Sequence, residues 1–205
     1  MSIYRFAHRR YSMIRIATEA DLPQILAIYA PYIENTTITF EYNVPTEAEF
    51  LTRFREITAQ FPWLVWEEEG KILGYAYGSA PFHRDAYRWC AEDSVYLLPE
   101  AQGRGIGKKL CLALEKVLIY QGYQRIYALI TAENQASVAF HQSIGYTLRG
   151  ELPEAGFKFN RWIGVIWMDK PLNFVESPSN FPTSWQAIGQ DSQSFSDILD
   201  ILSLF

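Results

Sequence analysis

The sequence predicts an α/β or α+β chain, one sheet of about seven strands with helices on both faces. Three observations lead there. Strand-like and helix-like runs alternate in the order βααβββαβαββ. Hydrophobic residues make up 49% and charged residues 20% of the 205-residue chain, which suits one domain with a sizeable core. A glycine-rich hexapeptide, Gln102-Gly103-Arg104-Gly105-Ile106-Gly107, joins a strand-like run to a helix-like one.

Met13 to Ala17 reads as a short strand. Thr18 then caps a helix, with Asp21 three residues on and an apolar face of Leu22, Ile25, Leu26 and Tyr29. Ile38 to Tyr42 is an extended stretch, and a second helix from Thr46 to about Ala59 carries Phe50, Phe54 and Ile57 on one side. Trp63–Trp66 and Ile72–Ser79 read as strands joined by a turn near Gly70. A strand from Ala91 to Leu98 feeds the glycine loop, and the helix from Lys108 to Gln121 is amphipathic through Ile106, Leu110, Leu114, Val117 and Leu118. Arg125–Thr131 is a strand, Asn134–Ser143 a helix, and Tyr146–Leu152 and Trp162–Asp169 are the last strands.

The ends differ in character from residues 13–172. Residues 1–12 carry three arginines, resembling a transit segment, although Met13 reads better as the start because the regular pattern begins at Ile14. Residues 173–205 form an extension. Asn173–Gln193 reads as a polar linker, after which Ser194 and Asp197 look like a capping pair for a short amphipathic helix through Phe195, Ile198, Leu199 and Leu202. That helix either docks or remains an unpacked end.

Net charge is −5, which gives no support to a nucleic-acid partner. No apolar run approaches the length of a membrane span. The two cysteines, Cys90 and Cys111, have no metal-type spacing and do not suggest a disulfide scaffold, so a metal-free protein of the reducing cytoplasm is expected.

The glycine loop is built to receive an anion. Glycines permit a tight turn, and the first N–H groups of the following helix have no internal partner. A P-loop would need Lys-Ser or Lys-Thr after the last glycine, and Gly107 is followed by Lys108-Lys109. A dinucleotide fingerprint would have other spacing and follow the first strand. Gln102-x-x-Gly105-x-Gly107 instead resembles the acyl-CoA signature of the GCN5-related N-acetyltransferases (GNAT).

The resemblance extends over residues 13–171 and is closest to the phosphinothricin and methionine sulfoximine N-acetyltransferases. It is carried by Ile14-Arg15-x-Ala17, Ala91-Glu92-x-Ser94-Val95-Tyr96, Asn134-Gln135-Ala136-Ser137, His141-Gln142-Ser143-Ile144-Gly145-Tyr146 and Lys158-Phe159-x-Arg161-Trp162. It implies a mostly antiparallel, splayed sheet whose gap takes the pantetheine arm of acetyl-CoA along the backbone of Val95, Tyr96 and Leu97. The loop Gly103, Arg104, Gly105, Ile106, Gly107 and Lys108 would hold the pyrophosphate, with Asn134 and Ser137 contacting the co-substrate from across the gap. A homodimer is implied as well.

Acetyl transfer to an amine needs a base for the ammonium proton and an acid for the departing thiolate. The resemblance places Glu92 as the base. His141 stands where many relatives carry a tyrosine, five residues before the aromatic Tyr146, and is the second catalytic candidate. Phe82, His83, Arg84 and Tyr87 fall where the branch has its amino-acid site, and Arg84 is suited to grip a carboxylate with both nitrogens. Asp93, Ser94 and Phe40 are expected around the same pocket. Phe82-His83 replaces the Trp-Lys or Trp-Arg pair of some relatives.

Overall fold

A computed structural model describes residues 12–205, so all but Ser12 of the expected N-terminal extension lies outside the described residues. Seven strands form one sheet: β1 (Ser12–Ile16), β2 (Trp63–Glu68), β3 (Lys71–Ser79), β4 (Cys90–Leu97), β5 (Arg125–Thr131), β6 (Thr147–Lys158) and β7 (Arg161–Pro171). Their order across the sheet is β1-β2-β3-β4-β5-β7-β6, and every adjacent pair is antiparallel except β4 and β5.

That single parallel pair is short. β4 and β5 are in register only at Cys90↔Arg125, Ala91↔Ile126 and Glu92↔Tyr127. Beyond Glu92 the strands separate, and β4 continues with a partner only on its β3 side. A sheet opened in this way leaves backbone donors and acceptors facing the gap.

Helices α1 (Leu22–Asn35) and α2 (Glu47–Gln60) cover one face of β2–β4. Their apolar stripes bury Ile25, Ile28, Phe50 and Phe54 against Trp63, Val65 and Tyr75. Helix α3 (Ile106–Gln121) covers the other face, with Leu110, Leu114 and Leu118 packed over Leu64, Ala76, Ala91 and Ile126. The stripes read from the sequence for α1, α2 and α3 are the buried ones, apart from Leu26 and Ile57 at the margin; on the expected C-terminal face Ile198 and Leu202 are buried, Phe195 is half-buried and Leu199 is exposed.

Thr18 caps a short 3-10 turn, Glu19–Asp21, that leads into α1, with Asp21 Oδ2 accepting from its N–H at 2.7 Å. Thr46 caps α2 in a reciprocal box with Glu49. The glycine-loop helix starts at Ile106 rather than Lys108, and α4 spans Gln135–Ser143.

The C-terminal reading needs correction. A further helix, α5 (Trp185–Gln190), interrupts the expected linker, and α6 (Ser192–Leu202) begins earlier than expected. Asp191, not Ser194, caps α6; its carboxylate accepts from Ser194 N–H at 2.8 Å. Asp197 instead accepts from the Tyr120 hydroxyl. Both helices dock on the domain by burying Trp185, Ile188, Ile198 and Leu202 in the α3-side core. The local polarity of the linker hid this, because docking depends on a few apolar residues meeting a distant surface.

Candidate active site

The glycine loop sits where the sheet opens. Gly103 (φ 72°) and Gly105 (φ 77°) adopt left-handed conformations, and a Cβ at either position would meet nothing within 4 Å. The loop is therefore glycine-rich for backbone conformation and leaves an unobstructed surface at the N-terminus of α3. Gly107 and Ile106 are buried under the loop, while Lys108 is exposed beside it. Arg104 turns away: its guanidinium pairs with Glu68 at 2.5 Å, which leaves the loop's amides as the donors on this surface.

A groove of about 420 Å³ leads from Gln102, Gly103 and Gly107 past Leu97, Val95, Asn134, Ser137 and Phe140. Tyr32 lines it too and donates to Leu97 C=O at 2.6 Å. Tyr32 was not anticipated, although it lies three residues beyond Tyr29 on the α1 face and was legible by helical spacing. Asn134 caps α4 by accepting from Ser137 N–H at 3.2 Å, so it is a structural cap as well as part of the wall.

The groove continues through Ile38, Val95, Asn134 and Ser137 into a cleft of about 250 Å³, bordered by Phe40, Glu92, Asp93, Ser94, Tyr96, Ala128–Thr131 and His141. Phe40 lies against Gly156 of β6, where a Cβ would come within 2.4 Å of its ring. The loop bearing Phe40 is held by Lys158, whose buried ammonium donates to Ile33, Thr36 and Thr39 C=O at 2.7, 2.8 and 2.8 Å. Lys158 falls in a stretch that carries the family resemblance, but no feature of the sequence assigned it this role as a cap on the negative end of α1.

Glu92 is the last β4 residue paired with β5. Burial, and then the neighbouring charge of Asp93, push its carboxyl up from 4.5 to about 7. Strand alternation sends the Asp93 carboxylate to the other side of the strand from Glu92, although both residues border the cleft. It is buried against His141, with Oδ2 3.3 Å from Nε2 and 3.9 Å from Cys111 Sγ. The other ring nitrogen, Nδ1, lies 2.8 Å from Ser137 C=O and therefore donates. Burial lowers the imidazole's proton affinity, but the hydrogen bond and charge of Asp93 and the Ser137 carbonyl outweigh it, and the net shift is upward. Tyr146 packs edge-on against His141 at 5.0 Å and is core, with its hydroxyl beside Asp93.

The remaining candidates gather elsewhere. Phe82, His83, Arg84 and Tyr87 line a second cavity of about 450 Å³ with Asp85, Arg88, Cys90, Tyr123, Phe181 and Pro182. Asp85 pairs with Arg88 at 2.7 Å, and among the described residues Arg84 makes no ion pair. Phe82 packs toward the sheet. Its ring lies 5.8 Å from Tyr127, directly across from Glu92 in the sheet register, and 5.5 Å from Trp167. Among the described residues no group of three or more His, Cys, Asp or Glu side chains could hold a metal.

An open strand edge running into the amides of a glycine loop suits an extended polar ligand that ends in an anion, which is the chemistry of an acyl-CoA-dependent acyltransferase. The family described as Acetyltransferase (GNAT) domain matches residues 14–167. The chain is 39% identical over 162 residues to a phosphinothricin N-acetyltransferase of Alcaligenes faecalis, covering 78% of this chain and 82% of that one. It is 36% identical over 171 residues to an L-methionine sulfoximine/L-methionine sulfone acetyltransferase of Pseudomonas aeruginosa, covering 80% and 96%. Among solved structures, a GNAT phosphinothricin acetyltransferase of Sinorhizobium meliloti in complex with acetyl-CoA superposes with a TM-score of 0.77 at 39% identity, over 84% of this chain and 93% of that one. The chain belongs to the GNAT family and is an acetyl-CoA-dependent N-acetyltransferase.

Proposed function

We propose that the protein acetylates the amino group of a small amino-acid analogue of the phosphinothricin, methionine sulfoximine or methionine sulfone type, by direct transfer with Glu92 as general base. The observation that carries this is Glu92 itself, a carboxyl at the opening of the sheet whose affinity for a proton matches neutral pH. Acetyl-CoA supplies the acetyl group as a thioester. Glu92 takes the proton from the substrate ammonium, which frees the lone pair. His141 holds a proton at the inner end of the same cleft, and it is assigned as the acid for the departing thiolate. To act, its Nε2–H must exchange Asp93 for sulfur.

The glycine-loop amides from Gly103 to Lys108 are assigned to the pyrophosphate, Val95, Tyr96 and Leu97 to the pantetheine arm, and Asn134 and Ser137 to the opposite wall. Arg84 is assigned to the substrate carboxylate, with Phe82, His83 and Tyr87 around it and Phe40 and Ser94 on the Glu92 side. The continuous aromatic surface from Phe82 to Tyr127 supports a substrate reaching from Arg84 to Glu92.

The outer sheet edge supports the expected homodimer: Leu148, Leu152, Phe157 and Trp162 of β6 and β7 are all exposed. Two free cysteines suit a reducing cytoplasm, and among the described residues no helix is long and apolar enough to cross a membrane.

The test is thiol release from acetyl-CoA across a panel of amines. Turnover with methionine sulfoximine or phosphinothricin and not with peptides is expected. Turnover with peptide N-termini alone would replace the substrate class, and binding of acetyl-CoA without turnover of any amine would leave a binding module.

A further inference from the structure

The matched family region stops at Val165-Ile166-Trp167, yet the chain continues for a further stretch that is anchored at both ends. Near its start, Leu172 N–H donates to Gln124 C=O at 3.0 Å and Val175 N–H to Gln124 Oε1 at 2.9 Å. Further on, Thr183 N–H donates to Gln121 C=O at 2.8 Å, and Gln121 Nε2 donates back to Thr183 C=O at 2.8 Å. Helices α5 and α6 then bury their apolar residues in the core.

Between these anchors, Asn180 and Phe181 lie against the loop of residues 80–89. Trp89 Nε1–H donates to Asn180 C=O at 2.9 Å, and the rings of Trp89 and Phe181 are 5.0 Å apart. The Arg88 guanidinium lies over the Phe181 ring at 4.9 Å. Phe181 is 58% exposed, so these contacts add little to the core. Their effect is local. The loop has only one 3-10 turn of its own, Asp85–Tyr87, between the end of β3 and the start of β4. Phe181 and Pro182 close the cavity that Phe82, His83, Arg84 and Tyr87 line.

We infer that the C-terminal extension is the outer wall of the amine site, with Phe181 and Asn180 positioning the 80–89 loop through Arg88 and Trp89. This rests on the assignment of Arg84 and its neighbours to the amine substrate. A loop held in its binding shape in advance is not ordered anew at each encounter, so the brace acts on amine affinity and leaves the chemical step alone.

The experiment uses the full chain and two variants, Phe181→Ala, which removes the ring, and Trp89→Phe, which keeps a ring but loses the N–H donor. Both should raise KM for methionine sulfoximine, Phe181→Ala by about tenfold, with kcat at saturating amine and Kd for coenzyme A unchanged. Amide hydrogen exchange, measured without substrate, should quicken in residues 82–89 and stay constant in α3, α5 and α6. Unchanged exchange in the loop, or unchanged KM in both variants, would overturn the brace, as would a loss shared by kcat and thermal stability. Arg84→Ala in the otherwise intact chain separates the two ideas. If it leaves KM unaltered, the assignment of the amine site fails; if it raises KM while Phe181→Ala does not, only the brace fails.

Discussion

Replacing Glu92 with Gln tests the chemistry and the energetics of the site together. Gln keeps the shape of the side chain but neither ionises nor accepts a proton, so turnover should fall about 10²- to 10⁴-fold, the usual contribution of a positioned base. The structure adds a second consequence. The carboxyl sits at about 7 when folded and at 4.5 when unfolded. Between those values the folded state binds more protons than the unfolded one, so Glu92 lowers stability as pH rises through the window. The full penalty, reached above about pH 8, is on the order of 3 kcal/mol. The Gln variant should therefore be more stable than the parent at alkaline pH, by about 6–12 °C in Tm for a chain of this size, with the gain vanishing below pH 4.5. Thermal unfolding of both proteins across pH 4–9, alongside the pH profile of kcat/KM, makes the comparison. The parent's activity should rise with pH and level off above 7. A Gln variant with parental turnover would remove Glu92 as the base, and a stability difference independent of pH would remove its buried proton.

The His141→Phe variant should lose about 3–5 kcal/mol near pH 6 by leaving the Asp93 carboxylate buried without its imidazolium. Because the folded imidazole titrates above its ordinary value, that loss should shrink as pH rises past it, which urea unfolding at pH 6 and 9 would reveal. Lys158→Met strips three carbonyls of a charged donor and should cost about 3 kcal/mol by urea titration, and it should also raise amine KM through the Phe40 loop. Gly105→Ala meets no clash, so its cost is the left-handed backbone alone, about 1–2 kcal/mol. Its larger effect should be weaker acetyl-CoA binding in calorimetry, since relaxing that φ re-aims the loop amides.

Much of the fold was open to a reader of the chain. The period of Ile25, Phe50, Phe54, Leu110 and Leu114 is a one-dimensional record of which face each helix buries, so element order and core followed from it. Gly103 and Gly105 were equally visible, because a left-handed turn before a helix restricts residue choice at the position itself. The open strand edge was expected only through the family resemblance, whereas the glycine loop belonged to the sequence itself. What it could not contain was any relation set by distant elements meeting. That Asp93 meets His141 depends on where α4 brings that ring to the sheet. That Lys158 reaches three carbonyls of residues 33–39 depends on the end of β6 meeting the C-terminal end of α1. Polar residues 173–193 look solvated when read alone, and only the surface prepared by Gln121, Gln124 and Trp89 turns them into a strap. Local pattern fixes what each segment is, because propensity and periodicity act within a few residues. Proton affinities and the walls of a pocket come from burial and neighbouring charge, which exist only once the chain has closed on itself.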